Sequence, residues 1–331
     1  MDSIEVEVRP RSPFQLPRLT GGDRLIRKAG AGFERLLVVD GTPVLARVRA
    51  AGGGHVRFSA EPAKPEAVTG PGSGQLEGAG EDQLADAIGR MRFATGIDLD
   101  LEPMRDLFGD DPLLGPAINR MVPGRPHRRP EAWEALLWAI TEQLIEYRRA
   151  AQIQRRMIRK WGLRLEVGTR RSHRGEYDDV LATVPSPAAI AGAAPAELEG
   201  CGLSARRAIA TIKAAREVAT GRCDLMSVSD DRRLLAIPEI GPWTIACLGL
   251  RGRGDPDAVL AGDLGQVKLV GYLEGLGRNA EVEEVEAFYE RYAPWRGLAG
   301  EYLLSAQGAP LHGPGNTARI RRGHRGLPRA A

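Results

Sequence analysis

The sequence predicts an α+β chain, with a small antiparallel β-sheet region first and an almost entirely helical region after it. Two patterns carry this. Apolar runs broken by Gly and Asp fill the first hundred residues, and from about residue 102 onward apolar residues recur at helical spacing between short Gly or Pro breaks. The 331 residues also exceed the roughly 150 typical of one domain. They divide into an N-terminal sheet domain at 1–101, a helical domain at 102–307, and a basic tail at 308–331 that reads as disordered.

The strand signal is clearest where Glu34 to Val39 and Thr42 to Val48 flank Asp40-Gly41. Such a pair between apolar runs predicts a hairpin, because the glycine accepts the positive φ of a tight primed turn. A third strand, His55 to Ala60, follows Gly52-Gly53-Gly54, residues 61–81 read as a Pro/Gly-rich loop, and Gln83 to Phe93 as a helix. In the second region, Trp133, Leu136, Leu137, Ile140 and Leu144 fall on one helical stripe, with Pro130 as the first helical residue, where its missing donor costs nothing. Another helix is expected from a Ser204 cap through Ile209, Ile212, Ala215 and Val218 to a stop at Gly221. No strand is expected beyond residue 102.

Composition excludes several classes. The hydrophobic fraction of 43% supports a sizeable core, which sets disorder aside as the general state. The charged N-terminal residues do not resemble a signal peptide, and no apolar run nears the ~18 residues of a membrane span. A soluble, cytoplasmic monomer with no membrane partner is the expectation. Of 46 basic residues all but five are arginine, a residue that grips phosphate bidentately, although a GC-rich gene would give the same bias. Cys201, Cys223 and Cys247 are one short of a four-thiolate cluster. His55, His127, His173, His312 and His324 show no metal-ligand spacing, so neither metal nor cofactor is expected.

The most informative stretch runs from Leu234 to Ala246: a short amphipathic helix, a tight turn at Glu239-Ile240-Gly241, and a second helix from Pro242. A helix-hairpin-helix of this kind aims unpaired amides, and the positive end of a helix dipole, at one phosphate without reading bases. An αα-hairpin inside a helical core would look similar. Asp257-Ala-Val-Leu-Ala-Gly-Asp263-Leu-Gly-Gln-Val-Lys268 follows, and Asp263 lies about twenty residues beyond Trp243.

Here the sequence resembles the helix-hairpin-helix DNA glycosylases, whose hairpin precedes a Gly/Pro-rich loop and a catalytic aspartate. Trp133 to Leu144, Leu198 to Arg207, and Ala293-Pro294-Trp295-Arg296 match further family segments, so the resemblance spans roughly residues 102–305. Trp243 stands where bifunctional members carry a Schiff-base lysine, and no cysteine follows Cys247 to build the iron–sulfur cluster of other branches. The resemblance is therefore to the monofunctional 3-methyladenine type, which hydrolyses the N-glycosidic bond of alkylated bases in duplex DNA.

The resemblance implies roles. Asp263, at the start of a helix over Leu264 to Val270, would stabilise the positive charge that develops on the sugar. Trp243, with Trp138, Tyr272 and Trp295 behind it, would wall the base pocket. Gln143, Leu144, Ile240, Gly241 and Thr244 would contact DNA, with Leu144 filling the gap left by the flipped base. Asp255 and Asp257 compete for the catalytic role at the wrong spacing. The sequence departs from the pattern at Glu239, in place of the first hairpin glycine, and at Cys247 and Leu264, where aromatics are common. These departures keep open a helix-hairpin-helix protein that binds DNA without cutting it. A helical protein-binding scaffold is a further reading.

Overall fold

A computed structural model describes residues 3–12, 14–16, 25–121, 128–143, 145–172 and 175–307. Leu144, the tail 308–331, and His127, His173, His312 and His324 lie outside the described residues. In chain order the elements are β1 (Ile4–Val8), β2 (Arg27–Ala29), β3 (Gly32–Val39), β4 (Thr42–Ala50), β5 (Val56–Pro62), β6 (Val68–Thr69), α1 (Glu81–Thr95), α2 (Glu102–Phe108), α3 (Leu114–Met121), α4 (Ala132–Glu142) and α5 (Tyr147–Trp161). Then come β7 (Arg164–Ser172), β8 (Gly175–Ala182), α6 (Pro187–Ala191), α7 (Pro195–Cys201), α8 (Ala205–Ala219), α9 (Asp231–Leu235), α10 (Pro242–Cys247), α11 (Leu264–Leu273), α12 (Val282–Tyr289) and α13 (Arg296–Gln307).

Two compact units interleave along this order. Of the described residues, those up to 100 and from 128 to 254 make the first, and those at 101–121 and 255–307 make the second. No helix among the described residues is long and apolar enough to cross a membrane.

In the first unit, Asp40 and Gly41 both take positive φ, 48° and 79°, which is the primed turn the sequence calls for. The turn sets β3 against β4 in the register Val39↔Thr42 to Gly32↔Arg49. The antiparallel sheet has the order β1-β5-β4-β3-β2. Phe33, Leu37, Val48 and Phe58 on its covered face pack against Leu84, Ala87, Ile88 and Met91 of α1. Each large side chain buried this way contributes roughly 1.5–3 kcal/mol. The edge strand β1 is an addition to the expected strands.

Three sequence expectations are corrected. Beyond residue 102 there is a hairpin, β7 with β8, which β6 joins to form a second sheet; β6 itself falls in the stretch read as a loop. A register shift between Glu166 and Gly168 breaks the period-two pattern that would have revealed β7. Pro130 is not the first residue of α4, because Glu131 is still extended at φ −133° and the helix begins at Ala132. Ile209 is 45% exposed: α8 buries Ala208, Thr211, Ile212 and Ala215 instead, an alanine-rich face without the usual bulky signal. The Ser204 cap is present, its hydroxyl accepting from the Arg207 amide, a bond worth about 1 kcal/mol.

The helical core of this unit is built around α4, which is buried from Trp133 through Thr141 and packs on Ile153 and Met157 of α5 and Ile212 of α8. Its buried acid, Glu134, accepts hydrogen bonds from Arg35 of β3 and, at 3.4 Å, from Arg129. In the second unit, Phe108 meets Tyr292 edge to face at 5.5 Å, and the Tyr292 hydroxyl donates to Asp111 at 3.3 Å.

Candidate active site

The hairpin lies in the first unit. α9 ends at Leu235 and the chain turns through two short bonds, the Ile237 amide to the Leu234 carbonyl at 2.9 Å and the Ile240 amide to the Ile237 carbonyl at 3.0 Å. Glu239, at the turn, has φ +74°. The left-handed conformation that a glycine adopts without strain is thus carried by a residue with a Cβ, at a cost on the order of 1 kcal/mol. Its carboxylate is 4.0 Å from Arg206, a solvent-exposed pairing of little energetic weight.

Gly241 is the extended N-cap of α10, with Pro242 at the first helical position. Among the described residues nothing beyond its chain neighbours lies within 4 Å of where a Gly241 Cβ would sit. Among the described residues the amides of Gly241 and Trp243 have no acceptor, as the first turn of a helix dictates. Thr244 is buried. Its hydroxyl accepts from Gln143 Nε2 at 2.8 Å, and the same nitrogen donates to the Glu239 carbonyl at 2.7 Å. The Gln143 amide is therefore committed to bracing the turn, at the end of α4. Ile240 is 4% exposed and anchors the turn to the core.

Trp243 is half-buried, and its indole Nε1 is buried with no acceptor among the described residues. A buried donor in that state is rare in a folded protein. Trp138 is 3% exposed within the helical core, where it packs rather than faces solvent.

The second unit holds the carboxylate. Asp263 is the N-cap of α11 and is half-buried; its Oδ1 accepts from the Gly265 amide at 2.8 Å. Oδ2 has no partner among the described residues. One oxygen is thus anchored at the positive end of a helix and the other is available. A side chain at position 265 would bring its Cβ within 2.9 Å of Asp263 Oδ1 and 3.1 Å of Leu304, so the glycine lets the carboxylate take this pose. The Gly265 of the Asp-Leu-Gly run is the local sequence signal for this clearance.

The loop before Asp263 is clamped. Arg296 Nε and Nη2 donate to the two oxygens of Asp257 at 2.9 and 2.5 Å, and the Arg296 amide donates to Oδ1 at 3.0 Å. These bonds hold the Asp257 carboxyl below its usual range. Asp257 is thereby a structural acid and not a free one. Asp255 is exposed and caps the Asp257 amide at 2.9 Å. Behind α11 the buried Tyr289 hydroxyl donates to Gln266 at 2.6 Å, and burial pushes that hydroxyl well above its ordinary range. Tyr272 and Trp295 are half-buried in the same unit. Burial also raises the Tyr272 hydroxyl. No cluster of potential metal ligands occurs among the described residues.

The first unit thus offers a hairpin with free amides, and the second an aspartate that caps a helix. Residues 137–294 match the model of the HhH-GPD superfamily base excision DNA repair protein. Among curated relatives, the probable bifunctional transcriptional activator/DNA repair enzyme AlkA of Mycobacterium tuberculosis is 26% identical over 232 residues, 69% of this chain and 44% of that protein. The chain thus spans less than half the length of that relative. DNA-3-methyladenine glycosylase 2 of Escherichia coli is 26% identical over 61% of this chain and 69% of its own.

Solved structures share the fold. A 3-methyladenine DNA-glycosylase from Archaeoglobus fulgidus superposes with a TM-score of 0.68 at 20% identity, over 92% of this chain and 98% of that one. An 8-oxoguanine glycosylase/lyase from Clostridium acetobutylicum, bound to double-stranded DNA, gives 0.60 at 13% identity, over 86% and 87%.

Proposed function

We propose that this chain is a monofunctional DNA glycosylase of base excision repair, which binds duplex DNA, extrudes an alkylated base of the 3-methyladenine type and hydrolyses its N-glycosidic bond. The observation that carries the reading is the pose of Asp263, one oxygen tied to the Gly265 amide and the other without a partner. As the bond breaks, positive charge develops on the sugar, and a fixed carboxylate stabilises it without reorganising. A base alkylated on a ring nitrogen already carries positive charge and leaves without a strong acid. Trp243 offers such a cation an electron-rich face, and its orphaned Nε1 a hydrogen bond. The free amides of Gly241 and Trp243 would take a DNA phosphate. The relatives named as 3-methyladenine glycosylases support the same substrate class.

The test is direct. Purified chain incubated with methylated duplex DNA is expected to release free alkylated purine and leave undamaged DNA intact, as read by chromatography of the soluble fraction. Binding without release would leave the non-cutting DNA-binding reading standing in its place.

In this reading Gln143 acts by bracing the hairpin. Gln143→Ala removes both of its bonds, to the Glu239 carbonyl and to Thr244. Each is worth about 1 kcal/mol, and affinity for a duplex is expected to fall roughly ten-fold, with little change in the rate of release at saturation. Fluorescence anisotropy and single-turnover kinetics separate the two effects.

A further inference from the structure

The first unit carries a charged groove beside the hairpin, which reaches the start of its turn at Ala236 and Ile237. It has a volume of about 550 Å³ and lies between the C-terminal half of α8 and α9, lined by Lys213, Arg216, Arg222, Arg232 and Arg233 with Glu217 as the one acid. Glu217 is already paired, to Arg222 at 2.8 Å and to Arg233 at 3.6 Å. Lys213 and Arg232 have no carboxylate partner among the described residues. Arg216 uses only Nε, on the Ala191 carbonyl at 3.3 Å. Like charges gathered in a concavity repel, and they concentrate anions there.

The groove continues a track that begins at the hairpin. Arg206, Ile209, Lys213 and Arg216 are all exposed, and their spacing of three, four and three residues puts them on one face of α8. Arg206 stands beside Glu239 on the hairpin turn. From Arg206 to Arg216 the helix rises about 15 Å, the axial span of about four phosphates of one DNA strand. No aromatic side chain lines the groove to anchor a peptide or stack on a base.

We propose that this groove is a second phosphate-binding surface, which holds the backbone of duplex DNA several base pairs beyond the nucleotide engaged at the hairpin. It rests on the DNA-binding reading above. Its contacts are to phosphate alone, so it adds affinity and retention on undamaged flanks without sequence preference.

The test uses the full chain, the variant Lys213→Gln/Arg216→Gln/Arg232→Gln, and duplexes of about 10 and about 30 base pairs, one and three helical turns. On the long duplex the variant is expected to lose at least ten-fold in affinity at about 0.1 M salt, with the slope of log affinity against log salt reduced by about three. On the short duplex, which reaches only part of the track, the loss of affinity should be smaller, and the rate of base release at saturation should match wild type. Equal affinity and equal slope for both proteins on the long duplex would overturn the proposal while leaving the glycosylase reading intact. Direct binding of a polyglutamate peptide to wild type and not to the variant, with long-duplex affinity equal for the two proteins, would overturn it in favour of an acidic protein partner. Failure of wild type to bind either duplex would overturn both readings. All three residues are exposed, and thermal unfolding monitored by circular dichroism should be the same for the two proteins.

Discussion

Asp263→Asn is expected to lower the rate of base release by at least 10²–10³-fold, the scale of losing one preorganised electrostatic partner of a charged transition state. The substitution is chosen because asparagine caps a helix about as well as aspartate does. Its side-chain oxygen can still accept from the Gly265 amide, so fold and α11 should be unchanged. DNA affinity should stay within about three-fold, since the phosphate contacts assigned above lie elsewhere. Single-turnover release measured beside duplex affinity reads both numbers. A variant that cuts at the wild-type rate would remove Asp263 from the chemistry. Asp255→Asn, at an exposed acid, is the matched control and should cut normally.

The largest expected loss of stability comes from a residue far from any proposed chemistry. Glu134 is 0% exposed in α4 and accepts from Arg35, itself 5% exposed on β3. Glu134→Ala would strand a buried guanidinium, and breaking a buried pair from one side typically costs about 3–5 kcal/mol. Urea unfolding should show a midpoint well below wild type with little change in slope. The double variant Arg35→Met/Glu134→Leu should recover most of the loss, because an apolar pair in place of a buried ion pair is often neutral. A single variant that costs under about 1 kcal/mol would mean that water reaches the pair.

How much of this was legible in the sequence depends on the kind of signal. The Asp40-Gly41 turn could be read because two adjacent residues with positive φ need a particular pair. The Ser204 cap was legible for a similar local reason. The β7–β8 hairpin was not, since its alternation is interrupted at the bulge and its third strand, Val68–Thr69, is two residues long. Ile209 misled because its volume suggested burial, whereas α8 packs through alanines.

The candidate site shows the same divide. The hairpin followed from local turn and helix chemistry, and Asp263 at a helix start from the family resemblance. The bracing by Gln143, the clamp of Arg296 on Asp257 and the clearance at Gly265 did not. Each depends on a partner that only the folded chain brings near, 96 residues away for Gln143 and 39 for Arg296.

The interleaving of the two units has a consequence for biosynthesis. Asp111 reaches the Tyr292 hydroxyl across 181 residues of sequence. At the ribosome's pace of about 5–20 residues per second, α2 and α3 emerge roughly ten to forty seconds before the helices that complete their unit. During that interval the apolar faces of Met104, Leu114 and Ile118, buried in the finished protein, have no native cover. The nascent chain should therefore depend on chaperones more than its size suggests, and a fragment truncated anywhere before α13 should be caught by them and degraded.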